Sequence, residues 1–170
     1  MEVAEAIRLK RAVRKYRDES IPDDALDHIL NAGRRAQSSK NTQPWHFIAI
    51  RDRETLKDLA QLGNYADHLA TAALGIAILT PDPTQRWSIM FDAGQAAAYM
   101  QLAAWELGIG SCIATIHNFE PSRVLLGFPK DLHLHVALSF GYAQDPTQMH
   151  ARPRKAGRRG VEDVVHFERW

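Results

Sequence analysis

A chain of 170 residues with 45% apolar and 24% charged side chains is long enough to bury a sizeable core, and it reads as one domain spanning 1–170. Its formal net charge of +1 excludes a protein-wide field for nucleic acid. A single cysteine, Cys112, excludes an internal disulfide and suits a reducing cytoplasm, while membrane-length apolar runs and a signal-peptide layout over Met1–Arg11 are both missing.

Val3, Ala6 and Ile7 predict an amphipathic first helix with Lys10 and Arg11 in its last turn. "SIPDDALDHILNAG" (Ser20–Gly33) predicts a second, with Ser20 as cap, Pro22 and the acids in its first turn, and Gly33 near its end. "SSKNTQPWHF" (Ser38–Phe47) follows, a polar run closed by a proline-tryptophan wedge. Pro44 is expected to push Gln43 into an extended shape, and "WHFIAI" to enter the core as a strand ending near Ile50. The polar run then forms a rigid lip at a sheet edge, suited to hydrogen-bonding a small polar molecule.

Asp52 is the expected cap and Gly63 the expected stop of a third helix, "DRETLKDLAQLG", with Leu56, Leu59 and Ala60 as its apolar stripe. "AALGIAILT" (Ala72–Thr80) is an apolar strand covered on both faces. Arg86–Leu107 is the longest helix, so rich in alanine that its apolar surface extends almost all round, which predicts burial between the sheet and a second subunit. Gly108 ends it. "GSCIATI" is a third strand, Glu120–Leu126 a short helix closed by Gly127, and "LHVALSFGY" a fourth strand that puts His133 and His135 on one face. From Ala143 the chain turns polar and proline-rich, with an apolar end, "VEDVVHFERW". Two histidines without a third ligand do not make a metal site, and none is predicted.

Charge is concentrated in two places. Residues 8–17 hold six Lys/Arg and residues 152–159 hold five, with no acid in either. Together they carry 11 of the 21 basic side chains, which suggests two jaws for one anion. Standard sites are lacking. "GIGSC" follows a helix and opens a strand, the reverse of a dinucleotide fingerprint, and there is no phosphate loop or nucleophile elbow. A lone cysteine at a strand start reads as a small buried side chain. A rigid lip and an anion clamp without catalytic side chains point to chemistry carried by a cofactor.

Six segments in order, "LKRAVRKY", "SSKNTQPWHF", "DAGQAAAYMQLAAWELGIGSC", "LGFP", "ALSFGYA" and "GRRGVEDVVHFERW", make the whole chain resemble the FMN-dependent nitroreductase family. The resemblance implies an α+β fold: a three-layer α/β/α sandwich with a mixed, mostly antiparallel central sheet, forming an obligate homodimer. Residues 150–170 would be an extended arm on the partner subunit. It implies FMN as cofactor and NAD(P)H as co-substrate, with ping-pong hydride transfer through flavin N5 to a nitroaromatic, quinone or similar acceptor. No side chain is implied as catalytic. Arg14 would place positive charge near N1 and O2 of the reduced flavin.

Carried over by position, Lys10, Arg11 and Arg14 form one phosphate jaw and Arg158 and Arg159 the other, with Ala12 in the basic motif. Ser38, Ser39, Asn41 and Gln43 would serve the ribityl chain and ring, and Ile113, Ala114 and Thr115 the N5 edge. Tyr65, His68, Trp87 and Phe119 would line the pocket, whereas Trp45 reads as core. Lys10 stands where the family usually has Arg, Ala12 where it has Ser, and Gln37 and Gly160 where it has Pro, so flavin affinity and phosphate geometry are expected to differ. Alternatives are a binding module without turnover, for flavin or nucleic acid, or divergent chemistry such as deazaflavin use or flavin breakdown. No inserted lid suggests dehalogenation. Neither a nucleic-acid nor a membrane partner is expected.

Overall fold

The computed structural model describes residues 2–150 and 157–170. Four strands, β1 (His46–Ile50), β2 (Leu74–Thr80), β3 (Gly110–Thr115) and β4 (His133–Gly141), form one sheet in the order β1-β2-β4-β3. All three strand pairings are antiparallel, in keeping with the mostly antiparallel sheet expected. The parallel contact is a single bridge, Ala12 to Ser111, because the segment after the first helix runs too briefly along β3 to become a strand.

Helices cover both faces. On one side Leu74, Ile76 and Ile78 of β2, with Leu138 and Phe140 of β4, pack on α2 (Asp23–Arg34) and α4 (Ser88–Glu106). On the other, Ala77, Leu79, Leu134 and Ala137 pack on α3 (Arg53–Ala60) and α5 (Phe119–Leu126). β2 is buried along its whole length, as its unbroken apolar composition predicts for a strand covered twice. A bulge between Ile78 and Leu79 inserts His135 opposite no partner, so Leu134 and Ala137 share a face despite their odd spacing. The result is the expected three-layer α/β/α sandwich.

Helix ends follow local chemistry, with small departures from the sequence-based bounds. The first helix, α1 (Val3–Leu9), ends at Lys10, whose N–H returns to the Ala6 carbonyl at 2.8 Å. Ser20 does not cap α2: Pro22 holds that position, and Asp24 Oδ1 accepts the Ala25 N–H at 2.8 Å instead. Gly33 lies inside α2, where a side chain would strike Met100. Asp52 does cap α3, accepting the Thr55 N–H at 2.8 Å. That helix ends before Gly63, because the Gln61 and Leu62 amides turn to carbonyls three residues back. The first turn of α4 is tightened the same way, so it starts at Ser88 rather than Arg86. Gly127, at φ 68, closes α5 as predicted.

Large apolar side chains remain exposed on α1 (Val3, Ile7), at the start of α4 (Trp87 just before it, Phe91 within it) and along the tail, where Trp170 is 99% exposed. Among the described residues, no helix is long and apolar enough to cross a membrane.

Candidate functional site

The basic segment after α1 is threaded along the sheet. The Val13 N–H donates to the Ser111 carbonyl at 3.0 Å, the Arg17 N–H to Tyr142 at 2.9 Å, and the Gln144 N–H to Lys15 at 2.9 Å. Two glycines allow this approach. A Cβ on Gly110 would lie 2.7 Å from the Val13 Cβ, and one on Gly141 would lie 2.7 Å from the Tyr16 ring. Past Ser111, the outer edge of β3 has no strand beside it among the described residues.

Lys10 and Arg14 both lie close enough to Cys112 of β3 to act on its thiol. Burial lowers the Lys10 ammonium pKa, and the neighbouring Cys112 opposes this. The thiol is pushed up by burial, with Arg14 and Lys10 pulling it back. Cys112 is therefore no poised nucleophile. Arg11 does not join the other two: its guanidinium donates to the Arg8 and Lys10 carbonyls, each at 2.8 Å, and so satisfies the end of α1. Ala12 is exposed beside them. Ile113 and Thr115 point outward from β3 and Ala114 inward.

The lip is a self-knit loop. The Gln43 N–H donates to Ser38 Oγ at 2.9 Å, and Lys40, Asn41 and Gln43 all adopt left-handed backbone, with φ of 53, 54 and 46. The extended shape expected of Gln43 is thus overturned, because its N–H bond to Ser38 outweighs the steric preference before proline. Ser39, Asn41 and Gln43 present exposed polar side chains. Trp45 is buried in the core.

Two further residues hold the lip, and neither was singled out from the sequence. Asp92 Oδ1 accepts the Ser39 N–H at 3.1 Å, and Arg86 donates to Thr42 Oγ1 at 2.9 Å. Asp92 is 3% exposed and its Oδ2 has no partner. An acid in an otherwise apolar helix was the available signal. His68 is also misplaced as a surface-lining residue: a short 3-10 turn, Asp67–Leu69, points it inward. Tyr65, Trp87 and Phe119 are exposed.

Arg158 and Arg159 are exposed in a tail whose backbone hydrogen bonds close within residues 157–170, and Arg152, Arg154 and Lys155 lie outside the described residues. No group of three metal-ligating side chains occurs among the described residues.

Cations beside the outer edge of β3 and a preformed polar lip leading into β1, at the opposite edge of the sheet, are two parts suited to an anionic ligand with a hydrogen-bonding body. Residues 7–64 and 62–142 match the model of the nitroreductase family, and the chain belongs to that family. It is 33% identical to a protein of Archaeoglobus fulgidus named "Putative NADH dehydrogenase/NAD(P)H nitroreductase", over 99% of each chain. An iodotyrosine deiodinase of Thermotoga neapolitana is 25% identical over 84% of this chain and 89% of its own. The solved structure of an FMN-dependent nitroreductase of Clostridium difficile superposes with a TM-score of 0.83 at 29% identity, covering 99% of this chain and 100% of that one.

Proposed function

We propose that this protein is an FMN-dependent oxidoreductase that moves a hydride from NAD(P)H to a nitroaromatic, quinone or similar small acceptor. The observation that supports this reading is the match of residues 7–64 and 62–142 to the nitroreductase family, together with a basic segment, Lys10 to Arg14, laid along β3 by the Ala12–Ser111 bridge. The donor set suits FMN: cations for a phosphate monoester or the electron-rich edge of the ring, and neutral donors on Ser39, Asn41 and Gln43 for hydroxyls and ring carbonyls. When bound, FMN would supply the hydride-accepting and hydride-donating centre, in a ping-pong cycle.

The chain's own residues then bind and orient. Lys10 and Arg14 would neutralise negative charge, with Arg158 and Arg159 as a second clamp. Ser38 shapes the lip through the Gln43 amide. The backbone at Ile113–Thr115 would lie along the flavin's reacting edge.

Assembly as a homodimer belongs to this reading. The exposed apolar residues of α1 and α4 and the unburied tail form the kind of surface that an obligate interface covers, commonly about 2,000–5,000 Å² in total. A partner would also bring a second set of basic side chains to the lip. The free thiol of Cys112 suits a reducing compartment such as the cytoplasm.

The test is direct. Purified protein should be yellow or take up added FMN, and should oxidise NADH or NADPH when a quinone is supplied. Failure to bind FMN would overturn the reading. Light scattering should give a dimer of the 19.2 kDa chain, and a monomer that retains FMN would overturn the assembly.

A further inference from the structure

Beneath the basic segment lies a buried polar cluster that the proposed chemistry does not use. Ser139 on β4 is 0% exposed. Its hydroxyl sits 2.6 Å from the Tyr16 hydroxyl, 2.7 Å from His68 Nδ1 and 3.4 Å from the Cys112 carbonyl. The Tyr16 hydroxyl is also 2.6 Å from the Val13 carbonyl. His68 is 5% exposed, and its Nε2 has no hydrogen-bond partner.

Counting protons sets the direction of these bonds. The Val13 carbonyl can only accept, so the Tyr16 proton goes there. Ser139 then donates to the Tyr16 oxygen, and Ser139 must itself accept from His68. This places the ring proton on Nδ1 and leaves Nε2 as a bare lone pair. The opposite direction would leave the Val13 carbonyl without its donor, a cost that the first direction avoids. Burial, and next the charge of Arg14, favour the neutral ring, while the Ile113 carbonyl and Asp67 pull the other way.

We infer that His68, Ser139 and Tyr16 form a directed hydrogen-bond chain that positions Arg14 for the flavin, an inference that rests on the flavin reading above. The chain ends on the residue before Arg14. Val13 is held from both sides, its N–H on Ser111 and its carbonyl under Tyr16. Tyr16, two residues beyond Arg14, is pinned to β4 by Ser139 and bridges Ala143. Arg14 thus projects from a short stretch fixed before and after it. A neutral His68 leaves no second positive charge beneath it.

Two measurements test this. Nitrogen-15 correlation spectra of the flavin-free protein should show His68 as the Nδ1–H tautomer, opposite to the form preferred by free imidazole side chains. Ser139→Ala, which removes the acceptor, should convert it to Nε2–H, and Tyr16→Phe, which frees the Ser139 proton to turn to Nδ1, should shift it the same way. The second is a double-mutant cycle on FMN affinity. Ser139→Ala should weaken binding about three- to tenfold, the worth of one net hydrogen bond, in the native background, and less than about twofold when Arg14 is already Met. A merely structural role predicts equal losses in both backgrounds. If Ser139→Ala does not fold, Tyr16→Phe serves in the same cycle. Equal losses, or an Nε2–H ring in the native protein, would overturn the inference while FMN binding stands. A native protein that never binds FMN would overturn the flavin reading itself, and the positioning role with it.

Discussion

The carboxylate of Asp92, inside the longest helix, accepts the backbone N–H of Ser39 at 3.1 Å across 53 positions of sequence. That one bond ties the polar lip to the most buried helix of the molecule. Asp92→Ala removes the acceptor, leaves the Ser39 N–H without it and opens a small void. A loss of about 1–3 kcal/mol is expected, read as a lower urea midpoint with unchanged slope. Asp92→Asn keeps an acceptor oxygen, so a smaller loss is expected. Equal losses would show that charge, rather than the acceptor, matters there.

Gly110→Ala and Gly141→Ala test how closely the basic segment is seated. At Gly110 the obstacle is the stiff Cβ of Val13, 2.7 Å from the added methyl, and at Gly141 it is the Tyr16 ring. Neither neighbour can swing aside. Each change should cost roughly 1–3 kcal/mol by thermal melting of the flavin-free protein. Gly94→Ala is the contrast: nothing within its own chain lies within 4 Å of the added Cβ and helix propensity favours Ala, so a loss there would report a partner packed on that face of α4.

Acid should weaken the fold through His68. Its folded-state pKa lies below the ordinary 6.5, chiefly from burial. The unfolded chain therefore takes up a proton first, and stability that is complete above pH 6.5 is lost as the pH falls below it. The slope from this one group is at most about 1.4 kcal/mol per pH unit. His135, also lowered by burial, acts in the same direction. Chemical denaturation between pH 5 and about 7.5 should show the slope, and His68→Gln should flatten it. An unchanged slope would show that His68 does not titrate on unfolding.

Cys112 should be slow to react. Its thiol is raised by burial and is itself buried, so little thiolate is present near neutrality. A disulfide reagent should modify it far more slowly in the native protein than in urea. Equal rates would contradict the burial.

Much of the framework was legible in the sequence because it follows local rules. The unbroken apolar run of β2, the Asp52 cap and the left-handed Gly127 each depend on a few neighbouring residues. Other features depend on residues far apart. Tyr16 meets Ser139 across 123 positions and His68 meets it across 71, and no periodicity records such a pairing. Gln43 shows the opposite failure: a sound local rule predicted extended backbone, but the bond to Ser38 prevailed. Lys10 and Arg14 were legible as charge, whereas Arg11, equally basic, bends back on α1.

Three residues of the lip, Lys40, Asn41 and Gln43, carry side chains in a backbone region that favours glycine. Asn tolerates this region, but Lys and Gln are held there at some cost. The loop is therefore wound like a spring when the protein folds, not when a ligand arrives. A guest meets donors that have already surrendered their freedom, so little ordering entropy remains to oppose capture. Glycine at position 40 or 43 would relax the spring and leave it slack, and folding stability and ligand grip would then part company.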